Sequence, residues 1–428
     1  MKISLLEKDA KYVWHPFTQM QKHPTPLVIE RAKGTVLYAE DGKEYLDCNS
    51  SWWVNIHGHG HPAFKKAMIR QYDQLDHVLF AGVTHPKAVE LAENIIQLMP
   101  PSISKVFFSD NGSTAIEVAL KMAIQYWYNK GTVKTKIVAL DGAYHGDTFG
   151  AMSVSQRDYF NEPFENLFFQ VDYIDFPFEN EEERVLKQAS KIFKKKDVAA
   201  LILEPLIQGS SGMRTYSSTF LNKLMQLAKE NNVLIILDEI MTGFGRTGSL
   251  FAFNQVDTEP DIVCLSKGLT GGIVPLGLTV TTNDIFDAFL SDETQKAFLH
   301  GHSFTAYALA CAIACANIEL IKKPKFSENI LRIQEKHGAF KTKIEKNPFI
   351  REVRHLGSII AIELIDQTEK SYFASIRDTA YYFFLNEGLL IRPCGNVIFL
   401  NPPITTKNKE LKKMYAGIEK FLKFLTDK

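Results

Sequence analysis

Cysteine is scarce in this chain, with five among 428 residues, at positions 48, 264, 311, 315 and 394. No two of them form a CxxC pair, none has zinc-like spacing, and the odd count argues against a disulfide framework. The set predicts reduced thiols serving as small apolar residues, in keeping with a cytoplasmic chain. Net charge is also missing, because 49 lysines and arginines balance 49 aspartates and glutamates. A neutral chain has no electrostatic reason to seek nucleic acid or an anionic membrane, so small-molecule chemistry is favoured. Long apolar runs are absent too. The longest, over 307–321, is alanine-rich and broken by Asn317 and Glu319, too short for a bilayer and suited to a buried helix. The opening MKISLLEKDA carries charges throughout and lacks the apolar core of a secretory signal.

What is present is a globular composition, 45% apolar and 23% charged, which leaves little room for disorder. The length suits two or three packed units. Short apolar runs, KVFFSD near 105, KIVALD near 136, VAALILEP near 198, VLIILDEI near 233 and DIVCLSKG near 261, alternate with segments of helical periodicity. That alternation predicts an α/β architecture with a mainly parallel sheet. One helix opens at Pro86, with Val89, Ala92, Ile96 and Met99 on its inner face and Pro100 and Pro101 as its stop. A second is capped by Ser218, and a third runs from the acidic 181–183 to the basic 194–196, matching the helix dipole. Beyond about 320 the pattern changes to one long amphipathic segment, a strand SIIAIELI, a helix near 375–386, and LLIRPCGNVIFLNPP. The last stretch reads as two strands joined by a turn at Gly395-Asn396.

Ligands in open α/β sheets gather at the carboxyl ends of the strands. Asp238 closes the 233–237 run and Lys267 follows the 262–266 run, so an acid and an amine could meet in one pocket. Pyridoxal 5'-phosphate needs such a pair, an amine for its Schiff base and an acid beside its pyridine nitrogen. Taken alone, the pair reads equally well as an ordinary salt bridge. Gly112 and Ser113, between the 105 strand and the helical AIEVALKMAIQYW, suit a phosphate at a helix start, though a plain cap has the same look. Tyr144, just after the 136 strand, is placed to stack on a ring or simply to pack. In combination, four strand ends in sequence order supply a phosphate seat, a ring stacker, an acid and a lysine.

Two other motifs compete. Gly243-Phe244-Gly245-Arg246-Thr247-Gly248 matches GxGxxG with Asp261 downstream, but DEIMT separates it from the strand and SLFAFNQV is a poor start for a long helix. His57, His59 and His61 alternate like metal ligands, yet glycines and a proline surround them and no carboxylate accompanies them, so a turn is the simpler reading and no metal is expected.

The stretches LDEIMTGFGRTGSLFAF and CLSKGLTGG resemble the class III, fold-type I aminotransferases. WHPFTQM, NSSWWVNIHGHGHP, AYHGDTFGAMSV, EPLIQGSSGM and IRPCGNVIFLNPP extend the resemblance over essentially the whole chain and narrow it to members acting in biotin synthesis. It implies a large domain over 51–320 with a mainly parallel seven-stranded sheet flanked by helices. A smaller α+β domain spans 321–428, with the segment 1–50 packing against it. The implied reaction aminates 8-amino-7-oxononanoate to 7,8-diaminononanoate in ping-pong fashion through pyridoxamine phosphate, with S-adenosylmethionine as donor, or lysine as in some relatives. The alternative within the class is a transaminase of other ω-amino acids, against which the WHPF and SSWW segments argue.

Residue by residue, the resemblance implies Lys267 as the Schiff-base lysine, Asp238 at the ring nitrogen, Tyr144 over the ring, and Gly112 and Ser113 at the phosphate. His302 and Ser303 complete that seat from the neighbouring subunit of a homodimer with shared sites. Phe17, Trp52 and Gly301 line the substrate pocket, and Arg392 takes the far carboxylate, a role its planar fork suits. Three features depart from the family. Phe17 and Phe399 stand where tyrosine is common, and His302-Ser303 replaces the usual Pro-Thr. Each lost hydroxyl removes a hydrogen bond of about 0.5–1.5 kcal/mol, which shifts binding and leaves the donor open between the two candidates.

Overall fold

In the computed structural model, which describes residues 4–22, 25–365 and 375–427, the apolar runs become strands of one sheet. Its members are β1 (Ile103–Ser109), β2 (Lys136–Leu140), β3 (Val171–Ile174), β4 (Val198–Leu203), β5 (Leu234–Asp238), β6 (Ile262–Leu265) and β7 (Gly277–Thr282). They lie in the order β1-β7-β6-β5-β4-β2-β3. Strands β2 to β6 are parallel, and β7 is antiparallel to both of its neighbours. Every residue of β4, β5 and β6 is buried, as expected where helices cover both faces of a sheet. Two strands, VDYI and GLTVTT, carry little apolar signal. In β7 the threonine hydroxyls are satisfied internally, Thr279 donating to the Ala115 carbonyl at 2.8 Å and Thr281 to that of Asp261 at 3.1 Å, so a polar-looking strand stays fully buried.

The flanking helices include α1 (Pro86–Ile96), α2 (Gly112–Asn129), α3 (Glu182–Phe193), α4 (Ser218–Glu230), α5 (Ala308–Ile321) and α6 (Pro324–Ile344). Two of them correct the sequence reading. In α1 the buried line is Ala88, Leu91 and Ile95, while Val89 is 56% exposed. His85 sets this face, its Nδ1 accepting the Ala88 N–H and its Nε2 donating to the Ala306 carbonyl. The helix also ends at Ile96, with Gln97 as its C-cap, before the prolines are reached. The cap of α4 is Ser217, whose hydroxyl accepts the Phe220 N–H at 2.9 Å.

A three-stranded antiparallel sheet of Ile350–Leu356, Ile359–Leu364 and Val397–Leu400 follows. The turn expected at Gly395-Asn396 forms, Cys394 and Val397 exchanging both backbone hydrogen bonds at 2.9 and 3.0 Å, but the two strands do not pair beyond it. Leu389–Leu390 instead pairs in parallel with Glu44–Asp47, while Val397–Leu400 pairs with Ile359–Leu364. Between them Pro393 offers no donor, and the Arg392 N–H goes to Asn49 Oδ1 at 2.9 Å, so the chain changes sheets. Asn49 Nδ2 also donates to the Phe399 carbonyl at 2.9 Å and Ser50 Oγ to that of Asn401 at 2.7 Å. These bonds lay the segment before Trp52 along the Val397–Leu400 strand and over the carboxyl edge of the large sheet.

Candidate active site

Asp238 ends β5 and is 4% exposed. Its Oδ2 lies 2.7 Å from His145 Nδ1, and its Oδ1 accepts the Ile240 N–H at 3.0 Å. His145 Nε2 is buried and has no hydrogen-bond partner among the described residues. Lys267 follows β6 in a left-handed conformation, φ +44°, a strain that in non-glycine residues marks functional positions. Its Nζ lies 5.0 Å from the centre of the Trp53 ring. It is half-buried, open to a cavity of about 1070 Å³ and otherwise enclosed by protein. Burial pulls its pKa below the ordinary lysine value, with Arg246 acting in the same direction and Asp238 and Glu204 opposing. An amine freed of its proton in this way is a better nucleophile.

Tyr144 follows β2 and lines the same cavity. Its N–H donates to Glu204 Oε1 at 3.2 Å and its hydroxyl to Asp147 Oδ2 at 3.0 Å. Burial, then the nearby Asp147, raise the phenol's pKa, so the hydroxyl stays protonated. Glu204 also accepts the Gly209 N–H at 2.9 Å, and its carboxyl is pushed up to about 7 by burial. Gly112 and Ser113 open α2 beside this loop. Ser113 Oγ accepts the Asp147 N–H at 3.3 Å, and a Cβ on Gly146, φ +129°, would fall 2.0 Å from that hydroxyl. Only glycine permits this close approach. Gly112 sits against the Ile240 side chain, two residues past Asp238. The ends of β1, β2, β5 and β6 therefore lie close together, Tyr144 and Lys267 lining the cavity while Gly112, Ser113 and Asp238 are not themselves part of its lining.

The opposite wall is aromatic. The Phe17 ring lies 5.5 Å from that of Trp52, and the Arg392 guanidinium carbon 5.0 Å from the Trp52 centre. Phe399 meets Trp53 edge-on at 6.0 Å. Phe17, Ser50, Ser51 and Trp53 all have positive φ, so this wall is held in strained backbone. Gly301, His302 and Ser303 are not brought together with the other residues and do not line the cavity of their own chain. His302 N–H instead donates to Thr305 Oγ1 at 3.1 Å in a half-exposed turn.

The competing motifs have other uses. His57 Nε2 lies 2.9 Å from Asn317 Oδ1, His59 Nε2 2.9 Å from Asp47 Oδ2, and His61 caps a helix through the Ala63 N–H. No group suited to a metal occurs among the described residues. After GFGRTG only turns and a short 3-10 segment follow. Arg246, 1% exposed, donates to the Pro402 carbonyl at 2.8 Å and the Trp53 carbonyl at 3.4 Å. The motif thus ties the C-terminal unit to the tryptophan loop. His145, Trp53, Glu204 and Arg246 belong to the site without any spacing signal of their own. His145 and Trp53 adjoin residues that have one.

Against known proteins, the model of the family "Aminotransferase class-III" matches residues 17–422. The chain belongs to the class III aminotransferases, pyridoxal-phosphate-dependent enzymes of fold-type I. It is 43% identical to the adenosylmethionine-8-amino-7-oxononanoate aminotransferase of Synechococcus elongatus, over 96% of this chain and 98% of the relative. A crystal structure of the enzyme of that name from Methanocaldococcus jannaschii superposes with a TM-score of 0.91 at 35% identity, covering 97% of this chain and 98% of the other. An amine transaminase from an uncultivated Pseudomonas species, in its pyridoxal-phosphate-bound form, superposes with a TM-score of 0.89 at 28% identity, covering 95% and 97%.

The side chains fit that cofactor. An amine without a direct ionic partner among the described residues opens on the cavity. A carboxylate tied to a histidine ends the adjacent strand, and a helix start with a serine hydroxyl lies alongside.

Proposed function

We propose that this chain transfers an amino group to 8-amino-7-oxononanoate, making 7,8-diaminononanoate for biotin synthesis, with S-adenosylmethionine as donor. The observation that carries the reading is the Lys267 amine, half-buried and without a direct ionic partner among the described residues, opening on a cavity that Arg392 also lines. Full-length relatives of that name, at 43% and 35% identity, support the choice of substrates.

Bound pyridoxal phosphate supplies an exchangeable carbonyl and an electron-withdrawing ring. Lys267 Nζ anchors it, then carries a proton away from the donor's α-carbon and, in the second half-reaction, delivers one to the acceptor carbon. Asp238 is oriented by His145 and the Ile240 N–H, so its carboxylate holds a proton at the ring nitrogen. Tyr144 orients the ring, while Gly112 and Ser113 bind the phosphate. Arg392, beside Trp52, binds the carboxylate of the keto acid. Two substrates so different in shape use the one cavity in turn, in ping-pong order.

Gly301, His302 and Ser303 serve the site of a second copy in a homodimer, which accounts for their position away from the cavity of their own chain. We read residues 51–320 as the large unit and 321–428 as the small one, with 1–50 packing on the latter, in a cytoplasmic protein. No described helix is long and apolar enough to cross a membrane. Phe17 favours one second reading, lysine as donor, because no hydroxyl stands there.

The deciding experiment reduces the holoenzyme with borohydride and locates the added mass, expected on Lys267. It then offers S-adenosylmethionine and lysine separately and follows loss of the cofactor's visible band. A mark on another residue ends the site assignment, and bleaching by lysine alone transfers the donor role.

A further inference from the structure

Asn317 is a polar residue in the wrong company. It sits fully buried in α5, whose other inward positions are alanine, cysteine, isoleucine and leucine. A buried amide is unfavourable unless its donors and its acceptor are all used. Asn317 uses them at one place. Its Nδ2 donates to the carbonyls of Gly268 at 2.8 Å and Leu269 at 2.9 Å, the two residues after Lys267. Its Oδ1 lies 2.9 Å from His57 Nε2. Carbonyl oxygens only accept, so the NH2 group must face them and the amide oxygen must face the histidine. His57 Nε2 therefore carries the proton. Burial holds that ring neutral, its pKa pushed down to about 4, so its tautomer is settled as well.

Lys267 is the residue in this turn that needs holding, because φ +44° is unfavourable for any side chain with a Cβ. Apolar contacts press on the turn from other sides. A Cβ on Gly268 would come within 3.0 Å of Phe244, and one on Gly271 within 2.8 Å of Phe64. Neither contact sets the direction of the carbonyls, whereas the Asn317 amide does. His57 also lies four residues after Trp53, whose ring faces Lys267 Nζ. One buried amide thus joins the lysine turn, the tryptophan loop and α5.

We propose that Asn317, with His57 as its hydrogen-bond donor, is a positioning residue that fixes how the Lys267 amine enters the cavity. The inference rests on Lys267 being the cofactor lysine. It goes beyond that reading by assigning His57 of the HGHGHP motif and the polar break in α5 to the site.

The test uses the full chain with Asn317→Asp, which keeps the shape but removes both donors. His57→Leu removes the histidine donor and His57→Gln retains an N–H. Acylation of Lys267 in cofactor-free protein is followed against pH by peptide mass spectrometry, alongside cofactor retention on dialysis, Tm, kcat and KM. In Asn317→Asp and His57→Leu the half-labelling pH is expected to rise by about one unit as the amine reaches water. The kcat is expected to fall about 10-fold or more with KM for the keto acid unchanged. His57→Gln is expected to restore both. A lowered Tm with the labelling pH and kcat unchanged means that the amide only stabilises the fold, and this overturns the proposal. If Asn317→Asp does not fold, the contrast between His57→Leu and His57→Gln decides by the same readouts. A borohydride mark away from Lys267 in the unaltered enzyme defeats the cofactor reading itself. A mark on Lys267 with unaltered labelling in the folded variants defeats this inference alone.

Discussion

The floor and the wall of the cavity are held by different physics. At the floor, Lys267 opens on the cavity just after β6, and Asp238, ending the adjacent strand of a sheet buried on both faces, is fixed by hydrogen bonds of 2.7 Å to His145 and 3.0 Å from the Ile240 N–H. The wall, Phe17, Trp52 and Arg392, is 42–46% exposed at its two aromatics and is held by ring contacts and strained backbone. A buried polar contact loses several times more than an exposed one when broken. The chemistry is therefore placed where geometry is rigid, and substrate choice where side chains can adjust. This division suits an enzyme that must admit two unlike substrates.

The contrast predicts graded effects. Lys267→Ala should lower kcat by about 10⁴-fold, the upper range for a positioned proton-transfer group, while the protein still binds cofactor, as absorbance and single-turnover assays will report. Normal turnover would remove the floor's central member. Next is Asp238→Asn, expected to fold normally and lose about 10²-fold in kcat, the scale of removing one preorganised electrostatic partner. An unchanged kcat would place Asp238 outside the chemistry.

On the wall, Arg392→Ala should raise KM for the keto acid by about 10- to 100-fold, in line with the 1.5–3 kcal/mol of a charged hydrogen bond, with a smaller change for the donor. Equal changes for both substrates would show that the arginine is not selective for the far carboxylate. The smallest effect is expected for Phe17→Tyr, a change of about 2- to 10-fold in KM, with kcat in single-turnover experiments unaffected. If kcat moved as much as in Asp238→Asn, the division between floor and wall would be lost.

Much of the floor is legible in the sequence, because strands covered on both faces are continuous apolar runs and their polar terminators stand out. Lys267, Asp238 and Tyr144 are found in that way. His145 and Glu204 are not, since nothing local distinguishes a histidine that meets an aspartate 93 positions away. Local patterns also mislead by small amounts. His85 rotates the buried face of α1, and the 389–400 segment divides between two sheets because its partners, residues 44–47 and 359–364, lie far away in the chain. Neither outcome is encoded by periodicity alone. The HGHGHP motif shows the same limit, with three alternating histidines serving three unrelated partners.

By itself, then, the sequence determined the α/β class, the strand ends that bear the amine and the acid, and through its motifs the family, because each of these depends on residues close together in the chain. Tertiary structure alone decided that Arg246 ties the tryptophan loop to the C-terminal unit, that Asn317 and His57 meet behind the lysine turn, and that Gly301, His302 and Ser303 stand apart from the cavity of their own chain. Those facts depend on which buried donor finds which distant acceptor. That matching is settled only when the whole chain excludes water.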